Sequence, residues 1–166
     1  MNEEEIAARI CGRWRNGVPL VLSPTQPKAE ILRDQWNDFT YADDPAGQQC
    51  PFASHMRRTH PRGESERVAG ADGHQRRIIR RGMPYGPEYD PQKSDDGDER
   101  GLLGLFICAS LEDQFEFLMA NWINKGGFRA GVPSDDRDPL FQFVTTRGGA
   151  YCFLPSITAL KHIATL

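Results

Sequence analysis

The sequence predicts an α+β layer fold, an antiparallel sheet with helices packed on it. Short apolar runs bounded by turn residues alternate with segments of helical period, in an order close to β-β-α-β-β-α. Phe141 to Thr145 and Ala150 to Phe153 flank Arg147-Gly148-Gly149, a hairpin signal. The 166 residues make one domain's worth of chain, enough to bury a core without staples. A single domain is expected over 1–166, with 1–50 as a helix plus irregular lead-in and 51–166 as its core.

The elements follow in order. A helix is expected over 3–15: Ile6, Ile10 and Trp14 share a face, Glu3, Glu4 and Glu5 suit its N-terminal dipole, and Gly17 and Pro19 end it. Residues 23–50 are rich in Pro, Asp, Asn and Gln and read as one long irregular segment, unusual inside a compact domain. Residues 51–60 follow that segment as a short helix presenting His55. Strand character at 76–81 centres on Ile78 and Ile79, and an acidic loop over 86–100 follows. Leu102 to Ala109 reads as a central strand. Ser110 then caps a helix over 111–124, with Asp113 at the capping-box position and Leu111, Phe115, Leu118 and Trp122 on its inner face. Gly126 and Gly127 stop it. Pro155 opens a last helix with Ile157, Leu160 and Ile163 inward.

Composition excludes several classes. A net charge of −3 argues against general nucleic-acid binding. No apolar run approaches the ~20 residues of a membrane span. The acidic start, Met1-Asn2-Glu3-Glu4-Glu5, lacks the features of a signal peptide, so a cytoplasmic location is expected. Cys11, Cys50, Cys108 and Cys152 are widely spaced and make neither a zinc framework nor a disulfide scaffold. Cys108 and Cys152 sit in apolar runs and are expected as buried free thiols.

The most informative segment is Cys50-Pro-Phe-Ala-Ser-His55-Met-Arg-Arg-Thr-His60-Pro-Arg62. It places an imidazole after a run of apolar and small residues and before a basic cluster, a setting for a buried axial ligand. Three further segments matter: Ile78-Ile-Arg80-Arg81-Gly82-Met-Pro84-Tyr85-Gly86-Pro-Glu88-Tyr89, Glu99-Arg100 through Ser110 to Glu116, and Arg147-Gly-Gly-Ala-Tyr151-Cys-Phe-Leu-Pro155. In this order the four resemble the C-terminal portion of the dye-decolorizing (DyP-type) heme peroxidases, over nearly the whole chain.

The resemblance implies a ferredoxin-like antiparallel sheet with packed helices, one half of a two-domain peroxidase fold. It implies heme b (iron protoporphyrin IX), with His55 as the iron ligand, and hydrogen peroxide and aromatic reductants as partners. It places Arg80 at the distal-arginine position, where a fixed guanidinium stabilises charge on the departing peroxide oxygen. Arg80 and Arg81 point to opposite faces of a strand, so only one reaches the pocket. Gly82 offers no side chain where many relatives carry a polar one. Leu103 and Leu105 border the distal face or simply pack the core. Asp113 either caps its helix or accepts the other N–H of His55. Arg57, Arg58 and Arg62 pair with heme propionates or surface acids, whereas Arg76 and Arg77 read as a solvated edge. Tyr85, Tyr89, Tyr151 and Trp122 are redox-capable candidates for passing electrons to bulky donors, against a plainer reading as packing residues. His60, His74 and His162 lack a ligand's context.

One departure is plain. The family's acidic Gly-x-x-Asp-Gly motif belongs upstream of the proximal histidine. Gly70-Ala71-Asp72-Gly73 is one residue too short for it and lies between His55 and Arg80, so it reads as a turn. Three consequences stay open: pairing with a separately encoded N-terminal half, self-association, or a truncated remnant. A heme-binding or subunit-interaction module without turnover of its own is the rival to an enzyme. A cofactor-free structural module is the third reading.

Overall fold

The computed structural model describes residues 1–28, 30–63, 68, 75–92, 97–127 and 143–166. The architecture is α+β. Helices α1 (Glu3–Cys11) and α2 (His55–Thr59) precede an antiparallel pair, β1 (Ile79–Tyr85) and β2 (Gly101–Ile107). A π-helix follows over Glu112–Glu116 and Leu118–Ile123, then α3 (Ile157–Ile163). No helix among the described residues is long and apolar enough to cross a membrane.

Helix α1 begins as expected. Asn2 Oδ1 accepts the Glu5 N–H at 2.8 Å, and three glutamates fill the positive first turn. It ends earlier than expected, at Gly12 (φ 95°) instead of Gly17 and Pro19. Only glycine adopts that φ cheaply, and a Cβ there would meet the Met56 Cβ at 2.9 Å. The bare backbone thus stops α1 and lets α2 approach. Trp14 lies past the helix but is still buried, its Nε1 donating to the Ser23 carbonyl at 2.8 Å.

The stretch expected as a lead-in holds the larger buried cluster: Ala8, Trp14, Val18, Leu20, Tyr41 and Cys50. Its irregular chain is organised by Asp44. One carboxylate oxygen accepts the Gln48 and Gln49 amides at 2.8 and 3.2 Å; the other accepts the Cys50 amide at 2.9 Å. The Arg57 guanidinium closes the knot, 2.9 Å from Asp44 Oδ2 and 2.6 Å from the Cys50 carbonyl. It lies between the Tyr41 and Phe52 rings at 4.5 and 4.4 Å. Side chains and backbone amides do here what regular ladders do elsewhere.

Burial pushes the Cys50 thiol from 9.0 up to about 11 and carries Tyr41 upward as well, by desolvation of the charged forms. The folded chain holds the Cys50 proton more tightly than the unfolded chain. That contribution is whole below pH 9.0 and is lost as pH rises towards about 11. Urea unfolding at about pH 8 and about pH 10.5 will show stability falling by roughly 2 kcal/mol. A Cys50→Ala variant will fall less; an equal fall would reject the assignment.

Other expectations are corrected. The helix after Ser110 forms, but hydrogen bonds reach five residues back: the Glu116 N–H donates to the Leu111 carbonyl and Asn124 to Met119. That wider turn shifts the inner face, so Leu118 and Trp122 are buried with Val68, whereas Leu111 is exposed. The hairpin at 141–145 and 150–153 does not form in its described part. Residues 143–156 carry no strand, and Phe143, Tyr151 and Phe153 are exposed, with no ladder to fix them. Helix α3 is capped by Ser156, whose Oγ accepts the Ala159 N–H at 3.1 Å. Yet Ile157, Leu160 and Ile163 face outward, because no described element covers them. Cys152 is exposed and Cys108 half-buried, not sealed in a core. Residues 141 and 142, His74 and Gly70–Gly73 lie outside the described residues.

Candidate functional site

The site begins at α2. Ser54, fully buried, donates its Oγ to the Arg9 carbonyl at 2.5 Å and so ties α2 to the end of α1. His55 is the first residue of α2 and is half-buried. Its carbonyl accepts the Thr59 hydroxyl at 2.9 Å, which steadies the single turn. Arg58, three residues on, is fully buried and reaches the far end of the π-helix, where Nε donates to the Trp122 carbonyl and a terminal nitrogen to the Lys125 carbonyl at 2.5 Å. A buried guanidinium at the end of a helix meets these carbonyl oxygens with charge.

The propionate-or-surface-acid expectation for Arg57, Arg58 and Arg62 is corrected accordingly. Arg57 pairs with buried Asp44, Arg58 binds carbonyls, and Arg62 donates to the Asn37 carbonyl at 2.5 Å. The planar forks of Arg57 and Arg58 are used internally, each on two backbone carbonyls, whereas the Arg62 contact is exposed.

At its other end the same π-helix holds the sheet. Gln114, mostly buried, accepts the Ala109 and Ser110 amides at 2.6 and 3.0 Å and donates to the Arg77 carbonyl. It thereby joins the entry to β1 and the exit of β2. Sequence reasoning missed Gln114; its position next to the Ser110 capping box was the available signal. Ser110 caps as expected: its Oγ accepts the Asp113 N–H at 3.1 Å and donates to Asp113 Oδ2 at 3.0 Å. The other Asp113 oxygen lies 3.4 Å from Arg76, whose guanidinium stacks on Phe117 at 3.8 Å. Arg76 is therefore packed into this junction, not a solvated edge. Both oxygens of Asp113 are thus engaged, one in the cap and one with Arg76.

The strand register sorts the distal candidates. Arg80 pairs with Phe106, Gly82 with Gly104 and Pro84 with Leu102. Direct partners in an antiparallel pair share a face, and alternate residues share it along a strand. One face therefore carries Arg80, Gly82, Leu102, Gly104 and Phe106. The other carries Arg81 and Met83 with Leu105 and Leu103. The expected trio of Arg80, Leu103 and Leu105 is split between two faces; Leu102 and Phe106 are the apolar neighbours on Arg80's side. A one-residue offset in parity moves every side chain across the sheet. Gly82 leaves bare backbone in the middle of that face, which lets a flat group approach closely. Phe106 lies over Gly104, where a Cβ would meet its ring at 2.7 Å.

Among the described residues no cluster of three or more His, Cys, Asp or Glu side chains could hold a bare metal ion. A half-buried imidazole and a flat sheet face bearing one guanidinium suit a planar, largely apolar group carrying its own metal. His60 sits one turn beyond His55 at the end of α2, and His162 is exposed in the last turn of α3.

Residues 25–159 match the family profile described as "Dyp-type peroxidase, C-terminal". This chain belongs to that family. It is 29% identical to the multifunctional dye peroxidase DyP2 of Amycolatopsis sp., over 98% of this chain and 42% of that protein. It is 32% identical to a dye-decolorizing peroxidase of Exidia glandulosa, over 93% of this chain and 37% of that one. Among solved structures, an ancestral D-type dye-decolorizing peroxidase matches with a TM-score of 0.67 and 35% identity, covering 78% of this chain and 30% of that chain. A dye-decolorizing peroxidase in complex with 2,6-dimethoxyphenol matches with a TM-score of 0.67 and 28% identity, covering 81% and 33%. The chain spans about two fifths of the length of these curated relatives, and corresponds to their C-terminal portion. The likeness also bears out the fold class, α+β and ferredoxin-like, as one part of the peroxidase fold.

Proposed function

We propose that this chain is the heme-binding C-terminal part of a DyP-type peroxidase, acting in hydrogen-peroxide-driven oxidation of aromatic donors. One observation carries the reading. The π-helix anchors both the turn that presents His55, through Arg58, and the strand pair that presents Arg80, through Gln114. That both candidate residues hang on one helix, in a chain whose sequence matches the family, supports this reading.

In this reading His55 holds the iron of heme b. When bound, the heme supplies the redox chemistry of peroxide reduction. The protein's part is to hold and polarise. Ser54, Arg58 and the packing of α2 on α1 fix the direction of the imidazole, which limits ligand loss. Arg80 presents a permanent cation towards the developing charge on the departing oxygen. The bare backbone at Gly82 sets how near the sheet the group lies, with Leu102 and Phe106 as its apolar border. Leu103 and Leu105 lie on the reverse face and enter as support for the sheet. Asp113 would orient the imidazole only by leaving its contacts with Ser110 and Arg76.

A second reading, a heme-binding or subunit-interaction module without turnover of its own, draws on one observation. Ile79, Met83, Leu102, Leu103, Leu105 and Phe106 are exposed over both faces of the sheet. Such apolar surface suits a covering partner, either an N-terminal half or a second copy. Heme titration followed by a peroxide assay with 2,6-dimethoxyphenol decides between the two. Oxidation faster than by free heme supports the enzyme. In that case Arg80→Leu lowers kcat about 10²–10³-fold with heme still bound, the usual cost of one preorganised donor. An unchanged rate would remove Arg80 from the mechanism.

A further inference from the structure

The strand pair has two faces, and only one of them belongs to the candidate site. On Arg80's face, Phe106 packs on Phe115 of the π-helix with ring centroids 5.4 Å apart. The reverse face carries Ile79, Met83, Leu103, Leu105 and Ile107 around Arg81. These five apolar side chains are all exposed, from 38% for Met83 to 72% for Ile79. Apolar side chains gathered on one face, unlike ones scattered singly, mark a contact surface.

Charge identifies what covers it. Arg81 is exposed within this apolar face. A partner that buries the face must bring Arg81 a carboxylate, because an unpaired buried cation is costly. This chain carries carboxylates in a matching place. Beyond the Tyr85–Gly101 end of the pair, Gly86 and Glu99 lie together, so close that a Cβ on Gly86 would meet the Glu99 carbonyl. Glu88 and Glu99 are both exposed there. Arg81 cannot use them within its own chain. It pairs across the sheet with Leu105, and Glu99 lies six residues further along, about 20 Å at roughly 3.3 Å per residue.

A two-fold axis resolves this separation. Let it lie in the plane of the face and cross the strands near Met83 and Leu103. It then reverses the strand direction between copies. Arg81 of each copy comes over the Tyr85–Gly101 end of the other, next to Glu99, and apolar surface lies on apolar surface. An axis running along the strands would instead set the two Arg81 side chains at the same end. One surface that carries both signs, on either side of an apolar centre, is self-complementary, as a symmetric dimer requires.

We propose that the reverse face of the strand pair is the interface of a symmetric dimer of this chain, with Met83 and Leu103 at its centre and Arg81 of each copy paired to Glu99 of the other. The inference does not rest on the peroxidase reading. Arg80's face stays outside the interface, so the dimer leaves both candidate heme sites open.

Sedimentation equilibrium of the full heme-free chain tests it. The expected result is a reversible monomer–dimer equilibrium between about 1 and about 100 µM, since a two-stranded face is at the small end of interface sizes. Leu103→Glu is expected to be monomeric throughout, with unchanged circular dichroism, because Leu103 is 62% exposed. Arg81→Glu and Glu99→Arg each weaken the dimer about 10-fold or more. Mixed in equal amounts, these two variants form a heterodimer, in which both cross-copy pairs are again of opposite charge. A monomeric parent, species larger than a dimer, a dimer that persists in Leu103→Glu, or no preference for the heterodimer overturns the proposal. Two further arms name other occupants. Heme that dissolves the dimer would show that heme takes this face, and overturns it. So does a monomeric chain that binds the separately added N-terminal part of the Amycolatopsis relative and loses that binding in Leu103→Glu.

Discussion

Replacing His55 by Ala will abolish saturable heme retention and leave the chain folded. The two halves of this expectation have separate physical grounds. His55 is half-buried and lies outside both core clusters. Alanine is a good helix former, and the anchors of α2 are Ser54, Arg57 and Arg58, which the substitution leaves in place. The iron, by contrast, would lose the one histidine that the family motif assigns to it. A titration of purified chain with heme, followed by absorbance, will show saturation near one equivalent and a histidine-ligated ferric spectrum. The variant will show neither, while its far-ultraviolet circular dichroism stays that of the parent. A variant with the parent's heme spectrum would refute His55 as ligand. No saturable binding by the parent would mean that the pocket requires a covering partner.

Arg57→Leu will cost about 3–5 kcal/mol in urea unfolding, the usual penalty for removing one member of a buried ion pair. Arg57 is fully buried and Asp44 is 3% exposed, so the variant leaves a carboxylate in the interior without its cation. It also strips the partners of the Asp44 and Cys50 carbonyls. Arg57→Lys will recover only part of the loss. An ammonium cannot span those acceptors and stack between two rings as a planar fork does. A loss below about 1 kcal/mol would show that Asp44 is held by its backbone amides alone.

The local devices were legible in the sequence. The caps at Ser110 and Ser156 and the acidic first turn of α1 use bonds spanning a few residues, so spacing alone specifies them. The motif around His55 was likewise readable, and so was the alternation that separates Arg80 from Arg81. Less legible was anything that depended on a distant partner. Arg57, Arg58 and Arg62 looked like a surface cluster because their acceptors are 13, 64 and 25 residues away in the chain. The family resemblance offers Leu103 and Leu105 as a distal border or as plain core packing, and alternation alone gives two sets of side chains without saying which set shares Arg80's face.

The sequence by itself determined the α+β class and the caps at Ser110 and Ser156, which follow from residue types at short spacings, and its four ordered motifs carried the resemblance to the family and with it the candidate ligand and cation. Only the tertiary structure decided which face of the strand pair goes with Arg80, that Gln114 and Arg58 hang both sides of the site on one helix, and that an irregular stretch folds around Asp44. It also decided that the segment after residue 142 stays exposed. Cross-strand register, buried ion pairs and ring contacts join residues tens of positions apart. Their energies depend on where the chain brings groups together and excludes water, which no local pattern encodes.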